Sequence, residues 1–171
     1  MKYLVVSDLH GSCEYVNKLI DIIEMEIPDK IIILGDLYNY DSKSSQYVAS
    51  ILNIYKDIIL CTKGNCDTTY SEQLSKFDLK DSIRLTIGNK NFFFNHGHIY
   101  NINNIPNNTD ILIYGHLHTG FIRKCGNTFV INSGSISYPR KNTSHSYLLI
   151  DDEYIYLKDI LGSVLDSVKF N

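Results

Sequence analysis

No stretch of this chain approaches the roughly 18 consecutive apolar residues of a membrane-spanning helix. Its N-terminus enters a short apolar strand pattern without the basic, apolar and small-residue regions of a secretion signal. A soluble, cytoplasmic protein with no membrane partner is therefore expected. An excess of charge of either sign is also lacking. The 16 Lys and Arg and 19 Asp and Glu residues leave a net charge of -3 and a pI near 6.0. The basic residues are scattered, which argues against nucleic acid as a partner. Cys13, Cys61, Cys66 and Cys125 form no CxxC pair and no regular spacing. Neither a disulfide framework nor a Cys-rich zinc site is expected from them. Proline is scarce, at three residues, and there is no internal repeat, linker or low-complexity tail. At 171 residues and 44% hydrophobic content, the chain fits one globular domain, 1-171, with a substantial core.

What the chain does contain is five apolar runs that each end in a candidate metal ligand: YLVVSD at Asp8, IIILGD at Asp36, ILCTKGN at Asn65, FFFNH at His96 and ILIYGH at His116. Runs of this length bounded by Gly or polar residues read as buried strands, and in an open α/β sheet the carboxyl ends of strands form the rim where sites are built. The first half alternates strands near 3 to 7, 30 to 34 and 58 to 62 with helices near 13 to 25 and 44 to 55. Ser12 is a usable helix start, and Val16, Leu19, Ile20 and Ile23 recur at helical intervals. Such βαβ alternation predicts parallel strands joined by right-handed crossovers. The second half carries hairpin pivots at Gly88-Asn89, Gly126-Asn127 and Asp151-Asp152, and an Asn-rich segment over 98 to 109 that suits a surface loop. The expected fold class is α/β, or α+β by some schemes: a sandwich of two mixed β-sheets flanked by helices.

Each motif alone has an ordinary explanation. An Asp before a helix caps it, and Gly, Asn and Asp are favoured turn residues. Taken together the motifs resist that reading. Asp8 and His10 leave one strand two residues apart, Asp36 ends the second, and Asn65, Cys66 and Asp67 follow the third. His96, His98, His116 and His118 are four of the six histidines, and polar side chains at buried strand ends are costly unless paired or coordinated. Two aspartates, an asparagine and several imidazoles suit Mn, Fe or Zn better than Ca or Mg. Seven ligands suit two ions, and a dimetal site activates water and clamps phosphoryl oxygens. Phosphoester hydrolysis is the reaction this donor set best serves.

In order and spacing, D-x-H, G-D, G-N-C-D, H-G-H and G-H-x-H resemble the calcineurin-like metallophosphoesterases, and more narrowly the small bacterial and archaeal phosphodiesterases of the YfcE type. The resemblance runs from Lys2 to about Arg140 and takes in IPNNTDILIYGHLHTG and NSGSISYPR. It implies that Asp8, His10, Asp36 and His118 surround one metal, that Asp36, Asn65, His96 and His116 surround a second, and that Asp36 bridges them. It also implies the metallophosphoesterase-like two-sheet fold, and catalysis through Asp36, Asn65 and His96 by way of a metal-bridging hydroxide that attacks phosphorus. Manganese is the foremost cofactor implied, with nickel, iron or zinc as alternatives. Two positions depart from the wider family: Cys66 stands where many members have His, and Ser133 where relatives commonly have Pro. Cys66 weakens any claim for a strong general acid, and a covalent thiolate role for it is a lesser alternative. Asn65 and His98 are candidate substrate contacts, and Arg140 is a candidate for meeting an anionic group.

The expected substrate is a small phosphoester, with aryl diesters favoured because their leaving groups need little protonation. A non-catalytic protein-interaction scaffold of the same fold and a nuclease are the competing readings. A homodimer or homotetramer is compatible with the sequence, which marks no interface.

Overall fold

The computed structural model describes all 171 residues, Met1–Asn171. In its first half four strands, β1 (Tyr3–Val6), β2 (Lys30–Ile33), β3 (Ile59–Thr62) and β4 (Leu79–Lys80), pair in parallel. Between them lie α1 (Cys13–Glu26), α2 (Ser42–Leu52) and α3 (Thr69–Leu74). Ser12 caps α1 as its sequence predicts, its side chain accepting from the Tyr15 N–H at 3.3 Å. Helix α2 begins earlier than its apolar spacing suggests, because the Asp41 carboxylate accepts from the N–H groups of Lys43 and Ser44 at 3.2 and 3.3 Å. It ends at Leu52, and Asn53–Tyr55 forms a 3-10 turn in place of a last α-helical turn.

The second half supplies β5 (Ile83–Ile87), β6 (Lys90–Asn95), β7 (Ile111–Tyr114), β8 (Phe121–Cys125), β9 (Thr128–Asn132), β10 (Ser146–Ile150), β11 (Tyr154–Asp159) and β12 (Val164–Lys169). Hairpins turn at all three predicted pivots, joining β5 to β6, β8 to β9 and β10 to β11 antiparallel. The strands form a seven-stranded sheet, β12-β11-β10-β1-β2-β3-β4, and a five-stranded sheet, β5-β6-β7-β9-β8, both mixed. Three elements lie outside the sequence reading: α3 and β4 are too short to show a period, and β12, an exposed edge, lacks the alternating pattern of a half-buried strand. The second sheet also contains parallel pairs, β6 with β7 and β7 with β9. The Asn-rich segment makes the crossover between β6 and β7.

Strand β1 shows why the apolar runs are continuous. Tyr3 and Val5 face the second sheet, where they join Ile32, Leu34, Phe92, Phe94, Ile113 and Ile131. Leu4 and Val6 face the helices, packing with Val16, Leu19, Val48 and Leu52. Both faces are buried, so neither can be polar. The helices cover only the first sheet. On the outer face of the second, Phe93, Leu112, Tyr114 and Val130 are covered by Tyr100, Ile102 and Ile105 of the Asn-rich crossover, which is thus a packing layer as well as a surface loop. The arrangement brings the carboxyl ends of β1, β2 and β3 face to face with those of β6, β7 and β9.

Candidate metal centre

Every motif residue leaves the rim at a strand end, and most leave it in an uncommon backbone conformation. Asp8, His10, Asp36, His116 and His118 have φ of 58°, 46°, 53°, 65° and 56°. This is the left-handed region, sparsely used by non-glycine residues. Such strain persists only where the surroundings over-determine it, and it concentrates at functional sites. Two glycines permit the close approach. A Cβ on Gly64 would collide with the Asp36 carboxylate, and one on Gly115 with Ser7 Oγ.

The side chains form two nests. In the first, His118 Nε2 lies 3.2 Å from Asp8 Oδ1 and 3.2 Å from His10 Nε2, which is itself 3.7 Å from Asp8 Oδ1. In the second, His96 Nε2 lies 3.0 Å from Asn65 Oδ1 and 3.2 Å from His116 Nδ1. Asp36 Oδ2 touches both, 3.3 Å from His96 Nε2 and 3.7 Å from His10 Nε2. Nitrogen and oxygen ligands at bond lengths of about 2.0–2.2 Å sit about 3.0–3.6 Å apart around one ion. The separations of 3.0–3.3 Å match that spacing, and the two 3.7 Å separations to His10 Nε2 lie just beyond it.

The donor chemistry fits a cation too. His96 donates from Nδ1 to the Leu34 carbonyl at 2.7 Å, and His118 from Nδ1 to the Tyr138 carbonyl at 2.6 Å, which leaves each Nε2 as a bare lone pair facing the nests. Asp8 Oδ1 is buried without a hydrogen-bond partner. Lone pairs converging at these distances repel unless a proton or metal ion lies between them. Burial alone raises the carboxyl of Asp8, but the adjoining imidazoles of His10 and His118, when protonated, bring it well below the usual range. Asp36 is lowered likewise, burial opposing and His96 prevailing. Both aspartates are anionic at neutral pH.

His98 joins neither nest: it is exposed, with its ring centroid 5.5 Å from that of His96 and 6.4 Å from that of His116. Cys66 is exposed beside Asp36, to whose Oδ1 its backbone N–H donates at 2.8 Å. Partial burial of its sulfur and the neighbouring Asp36 push the thiol up to about 11, which opposes a thiolate nucleophile at neutral pH. A cavity of ≈ 330 Å³ opens over the nests, and Arg140 and Lys141 stand on its wall. His145, outside every motif, stacks on Tyr15 with ring centroids 4.4 Å apart and bonds its hydroxyl at 3.0 Å, a structural histidine.

Three positioning residues carry no ligand signature. Asp67 is buried and accepts from the N–H groups of Asp36, Gly64 and Leu37 at 2.8, 2.9 and 3.1 Å, tying the ends of β2 and β3 together. Ser135 Oγ donates to the Asp8 carbonyl at 3.0 Å, and Asn132 Nδ2 to the Gly115 carbonyl at 2.6 Å. Asp67 closes the G-N-C-D motif, and the two others lie in NSGSISYPR. Those segments were the available signal. Ser133 explains its own departure, since its N–H donates to the Tyr114 carbonyl at 3.1 Å, a bond proline lacks.

A sequence profile described as the calcineurin-like phosphoesterase superfamily domain matches residues 1–153. Phosphodiesterase YfcE of Escherichia coli K12 is 28% identical over 165 residues, covering 91% of this chain and 90% of that protein. The solved structure of that phosphoesterase from E. coli superposes with a TM-score of 0.93 at 24% identity, over 100% of both chains. Wild-type Vps29 of Entamoeba histolytica, complexed with zinc, superposes with a TM-score of 0.69 at 24% identity, again over 100% of both chains. The last two are likenesses of fold.

Proposed function

The chain belongs to the calcineurin-like phosphoesterase superfamily, and on that premise we propose that it is a divalent-metal-dependent phosphodiesterase. Asp8, His10, Asp36 and His118 would hold one ion, and Asp36, Asn65, His96 and His116 a second. The observation that carries this reading is the contact of one Asp36 oxygen with both nests, at 3.3 Å from His96 Nε2 and 3.7 Å from His10 Nε2. A carboxylate so placed is suited to bridge two cations. When bound, such ions supply Lewis acidity and lower the pKa of a coordinated water toward 7. The chain's own residues do the rest. Leu34 and Tyr138 carbonyls fix the ring orientation of His96 and His118, and Arg140 and Lys141 offer positive charge to an anionic ester at the cavity wall. Cys66 Sγ, a weak acid, offers little proton to a leaving group, which supports esters that depart as stabilised anions.

Support for diester over monoester chemistry comes from the likeness to YfcE. The test is metal analysis of the purified protein, then hydrolysis of bis(p-nitrophenyl) phosphate and p-nitrophenyl phosphate with Mn, Ni, Zn, Fe and Mg in turn. Turnover of the diester dependent on Mn or a neighbouring transition metal is the expected result. A protein that neither retains nor uses any of these metals would sink the enzyme reading. It would favour the scaffold reading, for which the likeness to Vps29 is the support.

A further inference from the structure

A second cavity, of ≈ 260 Å³, opens beside the one over the metal nests, and His10 and Cys66 line both. Its walls differ in kind. The cavity over the nests carries Arg140 and Lys141, whereas the second has no Lys, Arg, Asp or Glu and is walled by Tyr38, Tyr40 and Tyr70. Tyr38 is buried at the back, its hydroxyl bonded to Ser75 Oγ at 2.8 Å. Tyr40 and Tyr70 flank the mouth at 103% and 38% exposure, leaving ring surface that nothing in the fold covers. Their backbones are nevertheless fixed. Tyr40 directly precedes Asp41, the cap of α2, and the Tyr70 N–H donates to Thr68 Oγ1 at 3.2 Å within the capping box of α3. Pockets that enclose a whole small-molecule ligand begin at about 300 Å³, so this volume suits a single ring system, with the remainder of the ligand outside it.

We propose that this cleft seats an aromatic ester group of the substrate, Tyr40 and Tyr70 being substrate-binding side chains, so that the substrate class is phosphodiesters of aryl alcohols or nucleosides. The inference rests on the metal nests being the phosphodiester site. A phosphate held over the nests places one ester substituent at His10 and Cys66, the residues shared with the cleft, and a flat ring entering there meets the tyrosine faces in offset or edge geometry. Aryl and nucleobase rings share that chemistry, and the ligands below separate them.

The test is calorimetric titration of the Mn-loaded full chain with methylphosphonate, phenylphosphonate and adenosine 5′-monophosphate. Phenylphosphonate is expected to bind about tenfold tighter than methylphosphonate, the size of one good aromatic contact. A larger gain for the nucleotide would point to a nucleobase, and a smaller one to a simple aryl group. The gain is expected to vanish in Tyr40→Ala/Tyr70→Ala and to survive in Tyr40→Phe and Tyr70→Phe, with the KM for bis(p-nitrophenyl) phosphate in the alanine variant rising more than kcat falls. Equal affinity for the methyl and phenyl ligands, a gain that survives the alanine pair, or no binding of any ligand at millimolar concentration overturns the proposal. Failure of the phosphodiesterase reading is distinguishable: wild-type protein would then bind phenylphosphonate preferentially without turning over any diester.

Discussion

Asp36 and Cys66, thirty positions apart, sit against each other through the bond from the Cys66 N–H to Asp36 Oδ1, and they call for opposite experiments. If Asp36 joins two ions, Asp36→Asn removes the charge that both need. Bound metal should fall below two equivalents per chain and kcat/KM by at least about 10³-fold, the upper range for losing one preorganised electrostatic contact. Plasma emission analysis and diester turnover read the two, and full metal loading with full activity would refute the bridging role. Cys66→Ser should leave turnover of aryl diesters within about tenfold, since deleting a true covalent nucleophile costs on the order of 10⁶ in kcat. Loss on that larger scale would restore the thiolate reading that its raised pKa opposes. The types and spacing of the nest residues were legible in the motifs, because a ligand must be a particular chemical group. Their left-handed backbone was not legible, since Asp and His adopt φ near 50° only where tertiary contacts impose it. Asp67 and Ser135 were hidden for a related reason. They act through backbone N–H and carbonyl groups that every residue possesses.

At the scale of elements, strands proved easier to read than what joins them. A strand buried on both faces must be apolar throughout, so β1, β2, β6 and β7 announced themselves, and hairpin turns demand Gly, Asn or Asp at fixed positions. The parallel pairing of β6 with β7 depends on where a loop is led, which local pattern does not encode. Helix α1 illustrates a local cost that the fold tolerates. It ends on Ile27, a β-branched residue held at φ 48° while its N–H donates to the Ile23 carbonyl at 2.9 Å. Glycine is the residue suited to that position. Ile27 is 79% exposed, so little burial is lost by replacing it. Relief of the left-handed penalty, about 1–2 kcal/mol, outweighs the added freedom of glycine in the unfolded chain, about 0.4–1 kcal/mol. Ile27→Gly should therefore raise the urea midpoint, corresponding to a gain of about 0.5–1 kcal/mol. A lowered midpoint with an unchanged slope would show that the exposed side chain contributes packing.

For the whole molecule, the question is what ties the helical layer to the antiparallel half of the large sheet, away from the candidate metal nests. Glu26, at the end of α1, is buried and accepts from the Tyr147 hydroxyl of β10 at 2.7 Å and from Lys158 Nζ of β11. Burial pushes its carboxyl up, but Lys158 and Tyr147 together hold it below its ordinary value of 4.5. A carboxylate with a depressed pKa is a net stabiliser. Its contribution is complete above pH 4.5, where the unfolded carboxyl is also ionised, and is lost as pH falls through the lower value of the folded state. Glu26→Gln leaves Lys158 largely buried without its counter-charge, and breaking such a pair costs about 3 kcal/mol at neutral pH. The gap between wild type and variant should shrink as the wild-type carboxyl itself takes up a proton. Acid also changes the charge of other groups, but it does so in both proteins, so the difference between them isolates Glu26. Urea unfolding of both at pH 7 and at pH 3.5 is the measurement. A gap equally large at the two pH values would mean that Glu26 contributes through the geometry of its hydrogen bonds rather than its charge, and no gap at pH 7 would mean that the layers are held by the apolar contacts of α1 alone.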